Sequence, residues 1–264
     1  MTDRPLETGW LADTPPGDNL LRAFTLNQAD VNEALARACG GRTERLDGAV
    51  LTDAASPVPY YNQALLLRPL TGIDDPLLDT IASFYAASTT VRTILSPWPT
   101  PDLSSRGWDL VGHPAFVARP GGPSPSAPPP DVSVDLVTDE AGLLAAERVA
   151  VEGYPIDEAA GAAPGTVLPA SLLGTDVRVR LGTLEGEPVA VGIGHVGHGL
   201  VNLCLGATLP AARRRGVWES LVWARLGDAS ELTGVAYTSD FSRPGFERMG
   251  FLVVTRFTMW AAAS

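Results

Sequence analysis

Thr208-Leu209-Pro210-Ala211-Ala212-Arg213-Arg214-Arg215-Gly216-Val217 carries the strongest structural signal in this 264-residue chain. It joins an apolar run at 200–207 to an apolar-periodic run that begins at Val217. A strand that stops, an arginine-rich turn with a glycine, and a helix that starts there make a seat for a pyrophosphate. The unpaired N–H groups of a first helical turn point at such a ligand, and the helix dipole favours negative charge. Three guanidiniums beside them offer charge-assisted hydrogen bonds of about 1.5–3 kcal/mol each.

Outward from this junction the second part of the chain reads as alternating elements. Residues 132–137 form a strand, 140–154 a helix, and 177–181 a period-two strand. Turns at 185–187 and 197–199 lead into strands at 188–195 and 200–207. The helix from Val217 carries Val217, Leu221 and Ala224 on one face. A strand at 235–239, a short helix at 244–249 stopped by Gly250, and a last strand at 251–260 complete the pattern. Upstream, Pro120-Gly121-Gly122-Pro123-Ser124-Pro125-Ser126-Ala127-Pro128-Pro129-Pro130 forms neither helix nor central strand. The expected organisation is therefore 1–119, a linker at 120–130, and 131–264.

The first part looks like a worn copy of the second. Gly107-Trp108-Asp109-Leu110-Val111 parallels Gly250-Phe251-Leu252-Val253-Val254, and Asn62 before the apolar run 64–67 parallels Asn202. At the equivalent helix start the arginines are replaced by Leu70-Thr71-Gly72-Ile73-Asp74-Asp75-Pro76, whose aspartates repel a diphosphate. Only the second part is expected to hold that ligand.

Composition sets the outer limits. The hydrophobic fraction is 45% and the charged fraction 19%, as in a folded globular chain. A net charge of −11 argues against a nucleic-acid surface, which needs a basic face. Cys39 and Cys204 lie far apart and form no metal-ligand spacing, so a reducing compartment and no metal are expected. The amino-terminal stretch lacks the apolar core of a secretion signal, and no run is long enough to span a membrane. A cytoplasmic monomer or homodimer follows as the expectation.

Two motifs now resemble one family. Pro210, Arg213, Gly216 and Trp218 stand where the GCN5-related N-acetyltransferases (GNAT) carry a strand, a proline and an Arg/Gln-x-x-Gly-x-Gly/Ala turn. Ser239, Phe246, Glu247, Arg248, Gly250 and Phe251 are similar to that family's second signature, 34 residues on by the glycines at 216 and 250. The resemblance implies an α/β fold in two tandem copies, each a mixed, mostly antiparallel twisted sheet flanked by helices and splayed between its fourth and fifth strands. It also implies acetyl-CoA in the gap, with its pantetheine arm along Ala207, Thr208 and Leu209. The diphosphate would lie on Arg213, Arg214, Arg215, Gly216, Val217 and Trp218. A small-molecule amine would attack the thioester directly, helped by about 7–11 kcal/mol from holding the reactants together.

Two residues depart from the family pattern. Phe246 stands where many relatives have a tyrosine acid, a loss worth about 10²–10⁴ in rate, with Tyr237 and Ser239 as candidates to substitute. Trp218 stands where a glycine or alanine lets the helix approach the cofactor; it either packs inward or crowds the diphosphate. Asn202 and Cys204 share one sheet face and, with His195, are the candidates for the acceptor pocket. Cys204 reads equally as a small buried hydrophobe, and His195 and His198 as hairpin residues. His113 reads as structural, and the loop at 159–169 as a border of the acceptor pocket. A non-catalytic acyl-CoA-binding module, or another thioester acyl transfer, is the alternative to N-acetylation.

Overall fold

The computed structural model describes residues 19–262 apart from Ser126 and Pro155; the amino-terminal stretch read above lies outside them. The chain opens with helix α1 (Leu20–Ala38), started by Asn19, whose side chain accepts from the Arg22 amide. Strands β1 (Arg42–Arg45), β2 (Ala49–Asp53) and β3 (Gln63–Leu66) follow. Helix α2 (Pro76–Phe84) crosses to β4 (Arg92–Ser96), and β5 (Asp109–Gly112) and β6 (Ala115–Arg119) end this part. Beyond the proline-rich segment come β7 (Val132–Leu136), α3 (Glu140–Gly153), β8 (Val177–Leu184), β9 (Glu187–Gly197) and β10 (Leu200–Thr208). The chain then forms α4 (Val217–Leu226), β11 (Thr233–Thr238), α5 (Arg243–Arg248), β12 (Leu252–Arg256) and β13 (Thr258–Ala262).

These strands build two sheets, β1-β2-β3-β4-β13-β5 and β12-β6-β11-β10-β9-β8-β7. Reversed and without β7, the second order is β8-β9-β10-β11-β6-β12, the counterpart of the first strand for strand. Each sheet has one parallel pair, β3/β4 and β10/β11, and is otherwise antiparallel. The repeat seen at 107–111 and 250–254 falls on β5 and β12, the outer strands of the two sheets. Both motif glycines are left-handed, Gly107 at φ +81° and Gly250 at φ +85°, which a side chain would strain. The tandem fold expected from the two motifs is therefore present.

One expectation is corrected. Residues 251–260 are not a single strand: the run breaks at Phe257 into β12, in the second sheet, and β13, in the first. The earlier part does the reverse, leaving β5 in the first sheet and sending β6 into the second between β11 and β12. Each half thus lends the other an inner strand, and the linker at 120–130 does not separate the sheets.

The crossing is driven by aromatic burial. Phe257 is fully buried against Phe24 of α1 and Phe116 of β6, with ring centroids 5.7 Å from each, and Phe24 stacks on Phe116 at 4.5 Å. Such pairs add about 0.5–1.5 kcal/mol each beyond the area they bury. Beside this seam runs a buried chain of amides. Asn202 donates to Gln28 (2.9 Å), Gln28 to Asn32 (2.8 Å), Asn32 to Gln63 (2.9 Å), and Gln63 to Thr93 (3.1 Å). It ties β10 to β3 and β4 through α1, and in the interior each link is costly to leave unmade.

Candidate active site at the parting of β10 and β11

The site begins where two parallel strands separate. β10 and β11 pair only through Leu200, Val201 and Asn202, matched to Thr233, Gly234 and Val235. From Leu203 onward β10 keeps β9 on one side and leaves its other edge open, while β11 continues against β6. Counted from β7, these are the fourth and fifth strands, where the splay was expected. A bulge between Cys204 and Gly206 bends β10 at this point, with Leu205 at φ +30°.

Arg225 of α4 occupies the gap in the ladder that the bulge leaves. Its Nη1 donates to the carbonyls of Ile193 and Cys204, both at 3.1 Å, and its Nε to Leu221 at 3.2 Å. Gly192 makes room for it: a Cβ there would lie 2.7 Å from the guanidinium carbon. Burial pushes this guanidinium down to about 10, so it remains a cation at neutral pH.

At the open end of β10 stands the arginine turn. Helix α4 has no side-chain cap, whereas α1, α2 and α3 are capped by Asn19, Asp75 and Asp139. Gly216 reaches φ +81° at the helix entrance, and a Cβ there would meet the Pro129 ring at 2.8 Å. The three arginines are not equally available, which corrects the picture of three free guanidiniums. Arg213 turns back to the carbonyls of Thr208 (3.2 Å) and Gly153 (3.1 Å). Arg215 pairs with Asp131 (3.0 Å) and Glu185 (3.4 Å). Arg214, exposed at φ +64°, has no hydrogen bond or ion pair among the described residues.

Trp218 packs inward. Its ring meets Phe246 edge-on at 5.0 Å and lies against Gly245, where a Cβ would be 3.0 Å from it. Its Nε1 faces Gly206, 3.7 Å from where a Cβ would stand. The ring therefore narrows the slot between α4 and α5 while leaving the first-turn amides uncovered by any cap.

The splay opens into a cavity of about 360 Å³ bounded by both halves. Its second-half wall includes Cys204, Leu205, Trp218, Tyr237, Ser239 and Phe246; the first half adds Gln28, Asn32, Tyr60, Tyr61 and His113. Tyr60 meets Tyr154 hydroxyl to hydroxyl at 3.4 Å across the two halves. Burial pushes the phenols of Tyr60, Tyr61 and Tyr237 above their ordinary range. It also pushes the Cys204 thiol up to about 12, so that Cys204 is no nucleophile.

The residues singled out from sequence divide accordingly. Tyr237 and Ser239 both line the cavity, Tyr237 as a neutral phenol. Ser239 is partly committed to the turn into α5, its oxygen accepting from the Ser242 amide at 3.3 Å. Asn202 and Cys204 do share a face, both directed at the Gln28 amide oxygen, but Asn202 lies behind Gln28 rather than on the cavity wall. His195 is buried elsewhere, its Nδ1 3.3 Å from the Asp176 carbonyl. His198 pairs with Asp30 at 2.8 Å. The loop at 159–169 is also away from the cavity: Glu147 pins it by accepting from the amides of Gly165, Val167 and Leu168. Tyr60, Tyr61 and Tyr154 are not among the residues singled out from sequence, because their place depends on contacts between halves; His113, read as structural, also lies on the cavity wall.

Two interleaved sheets of this order, each built on one parallel pair and the second parted beyond it, define the tandem GCN5-related N-acetyltransferase fold. The chain is similar to a GCN5-related N-acetyltransferase from Kribbella flavida, with 18% identity and a TM-score of 0.60 over 90% of this chain and 96% of that one. A GNAT-family protein from Novosphingobium aromaticivorans matches with 17% identity and a TM-score of 0.58, over 91% and 99% of the two chains. A tandem GNAT protein from the clavulanic acid biosynthesis pathway matches at 12% identity and a TM-score of 0.50, over 90% and 94%. No family model matches the sequence, and no curated protein matches it either. Among the described residues no cluster of three His, Cys, Asp or Glu is placed to hold a metal, and no helix is long and apolar enough to cross a membrane.

Proposed function

We propose that the second half binds acetyl-CoA and transfers its acetyl group to a small-molecule amine held in the inter-half cavity. The observation that carries this reading is the parting of β10 from β11 beyond Asn202, which joins an uncapped helix entrance to a cavity lined by both halves. The residues fit the coenzyme at two points. The first-turn amides of α4 with Arg214 suit its diphosphate, and the free edge of β10 at Ala207 and Thr208 suits an extended amide chain. When bound, the thioester supplies an activated acyl carbon.

The chain's own part is to position and to stabilise. The β10 bulge, held by Arg225, presents backbone donors and a fixed cation close to Gly206, the kind of environment that favours a developing oxyanion. Tyr237 stands on the cavity side of β11 as a neutral donor in place of the acid that Phe246 cannot be.

The Trp218–Phe246 contact favours a second reading, a ligand-binding module that kept the fold without the chemistry. Calorimetry with acetyl-CoA, followed by thiol release over a panel of amines, separates the two. Heat with turnover supports transfer, heat without turnover supports the module, and no heat overturns both.

A further inference from the structure

The cavity holds eight titratable side chains, and transfer to an amine that is protonated near neutrality requires one of them to take a proton. Tyr60, Tyr61 and Tyr237 are kept neutral by burial, as is the Cys204 thiol. Tyr154 is engaged with Tyr60, and Arg225 is a cation. Asp240 is bound by Arg256 at 2.6 Å and by Arg243 at 3.3 Å, and Arg256 holds its carboxyl below the usual carboxylate range. His113 alone is left.

Its placement follows from the strand exchange. β6 pairs with β11 so that Ala115 stands opposite Thr238, which puts the preceding His113-Pro114 beside the open end of β11. The Nδ1 atom lies 3.3 Å from the Phe257 carbonyl, which selects the tautomer with the proton on Nδ1 and leaves the Nε2 lone pair with no hydrogen bond among the described residues. The loop is clamped from behind: Arg256 donates to the His113 carbonyl at 2.6 Å while pairing with Asp240. Arg256 and Asp240, with Arg243 and its partner Glu247 behind them, are charged groups at this corner.

We propose that His113, contributed by the first half, is the general base of the second half's active site, which makes the acceptor an ammonium-bearing small molecule. The assignment rests on the acyl-transfer reading above. Nε2 takes a proton from the ammonium group and, being exposed at the cavity mouth, passes it to solvent. The freed lone pair forms the C–N bond to the acyl carbon. The C–S bond then breaks with its electron pair on sulfur, and the thiolate takes up the proton that the new amide does not keep.

His113→Gln and His113→Ala test it, since the side chain is exposed, and thermal denaturation checks that both variants are folded. With an amine protonated at pH 7, kcat/KM falls about 10²-fold or more while calorimetric binding of acetyl-CoA is unchanged. The loss shrinks above the amine's own pKa, where no base is needed, and imidazole added to the alanine variant restores part of the rate. Variants with an unaltered rate and pH profile overturn the base and leave acyl transfer standing. A wild-type chain that releases no thiol with any amine overturns the transfer reading and the base with it.

Discussion

The entrance to α2 and the entrance to α4 stand at the same place in the duplicated fold and treat negative charge in opposite ways. At α2 the Asp75 carboxylate accepts from Arg68 through two bonds of 2.6 and 2.8 Å, from the Thr71 amide and hydroxyl at 2.9 and 3.0 Å, and from the Leu77 amide at 3.0 Å. The helix start carries its own anion and is closed. At α4 no carboxylate caps the helix, a glycine replaces Asp75, and one arginine is uncommitted. The same backbone serves in one half as a structural joint and in the other as a candidate diphosphate seat. The difference rests on whether the chain supplies the negative charge itself.

The largest effect expected from breaking this contrast is on stability. Asp75→Ala strips α2 of its cap and leaves Arg68 without its carboxylate partner, costing about 2–4 kcal/mol in urea denaturation at pH 7. The same residue sets an acid limb. Arg68, then the amides of Thr71 and Leu77, hold Asp75 well below the usual carboxylate range. A depressed folded-state pKa contributes its full stability above about pH 4 and loses it as the pH falls toward the folded value. Asp75→Asn should therefore flatten the drop in stability between pH 7 and pH 3, as denaturation at the two pH values will show.

Converting the second entrance into the first should come next. Gly216→Asp places a carboxylate at the helix start and meets Pro129, so the acetyl-CoA dissociation constant should rise about 100-fold, or about 2.7 kcal/mol. An unchanged binding isotherm would remove the diphosphate from α4. Trp218→Ala sharpens the same comparison from the other side. Widening the slot between Gly206 and Gly245 should tighten acetyl-CoA binding about fivefold to tenfold at a modest loss of thermal stability from the Phe246 contact. Phe246→Tyr should give the smallest response, a several-fold rise in kcat with KM unchanged, because the added hydroxyl lacks partners tuned to make it a strong acid.

Most of the second half was legible because its elements are local. The period-two run at 177–181 lies in β8, and the apolar stretch at 200–207 is β10 to within a residue. The turn at 213–216 followed from its glycine and arginines. The exchange was not legible, because 251–260 contains no glycine or proline to mark a break and only the burial of Phe257 against Phe24 and Phe116 divides it. The cavity was legible on one wall only. Tyr237, Ser239 and Cys204 belong to motif strands, while Tyr60, Tyr154 and His113 reach the site through pairings more than 90 positions apart in the chain. His195 misled for the same reason, since the Asp176 carbonyl that holds it is a tertiary partner.

The traded strands also bear on how the molecule is made. During synthesis the first sheet emerges with β4 and β5 flanking an absent plank, because β13 is supplied only by residues 258–262. That sheet cannot close when its own segment has been translated, and its unpaired edges stay exposed until the ribosome has delivered the other half. The part of the chain that is born earliest is thus completed last, and a nascent chain halted near residue 250 should still be open to proteases there.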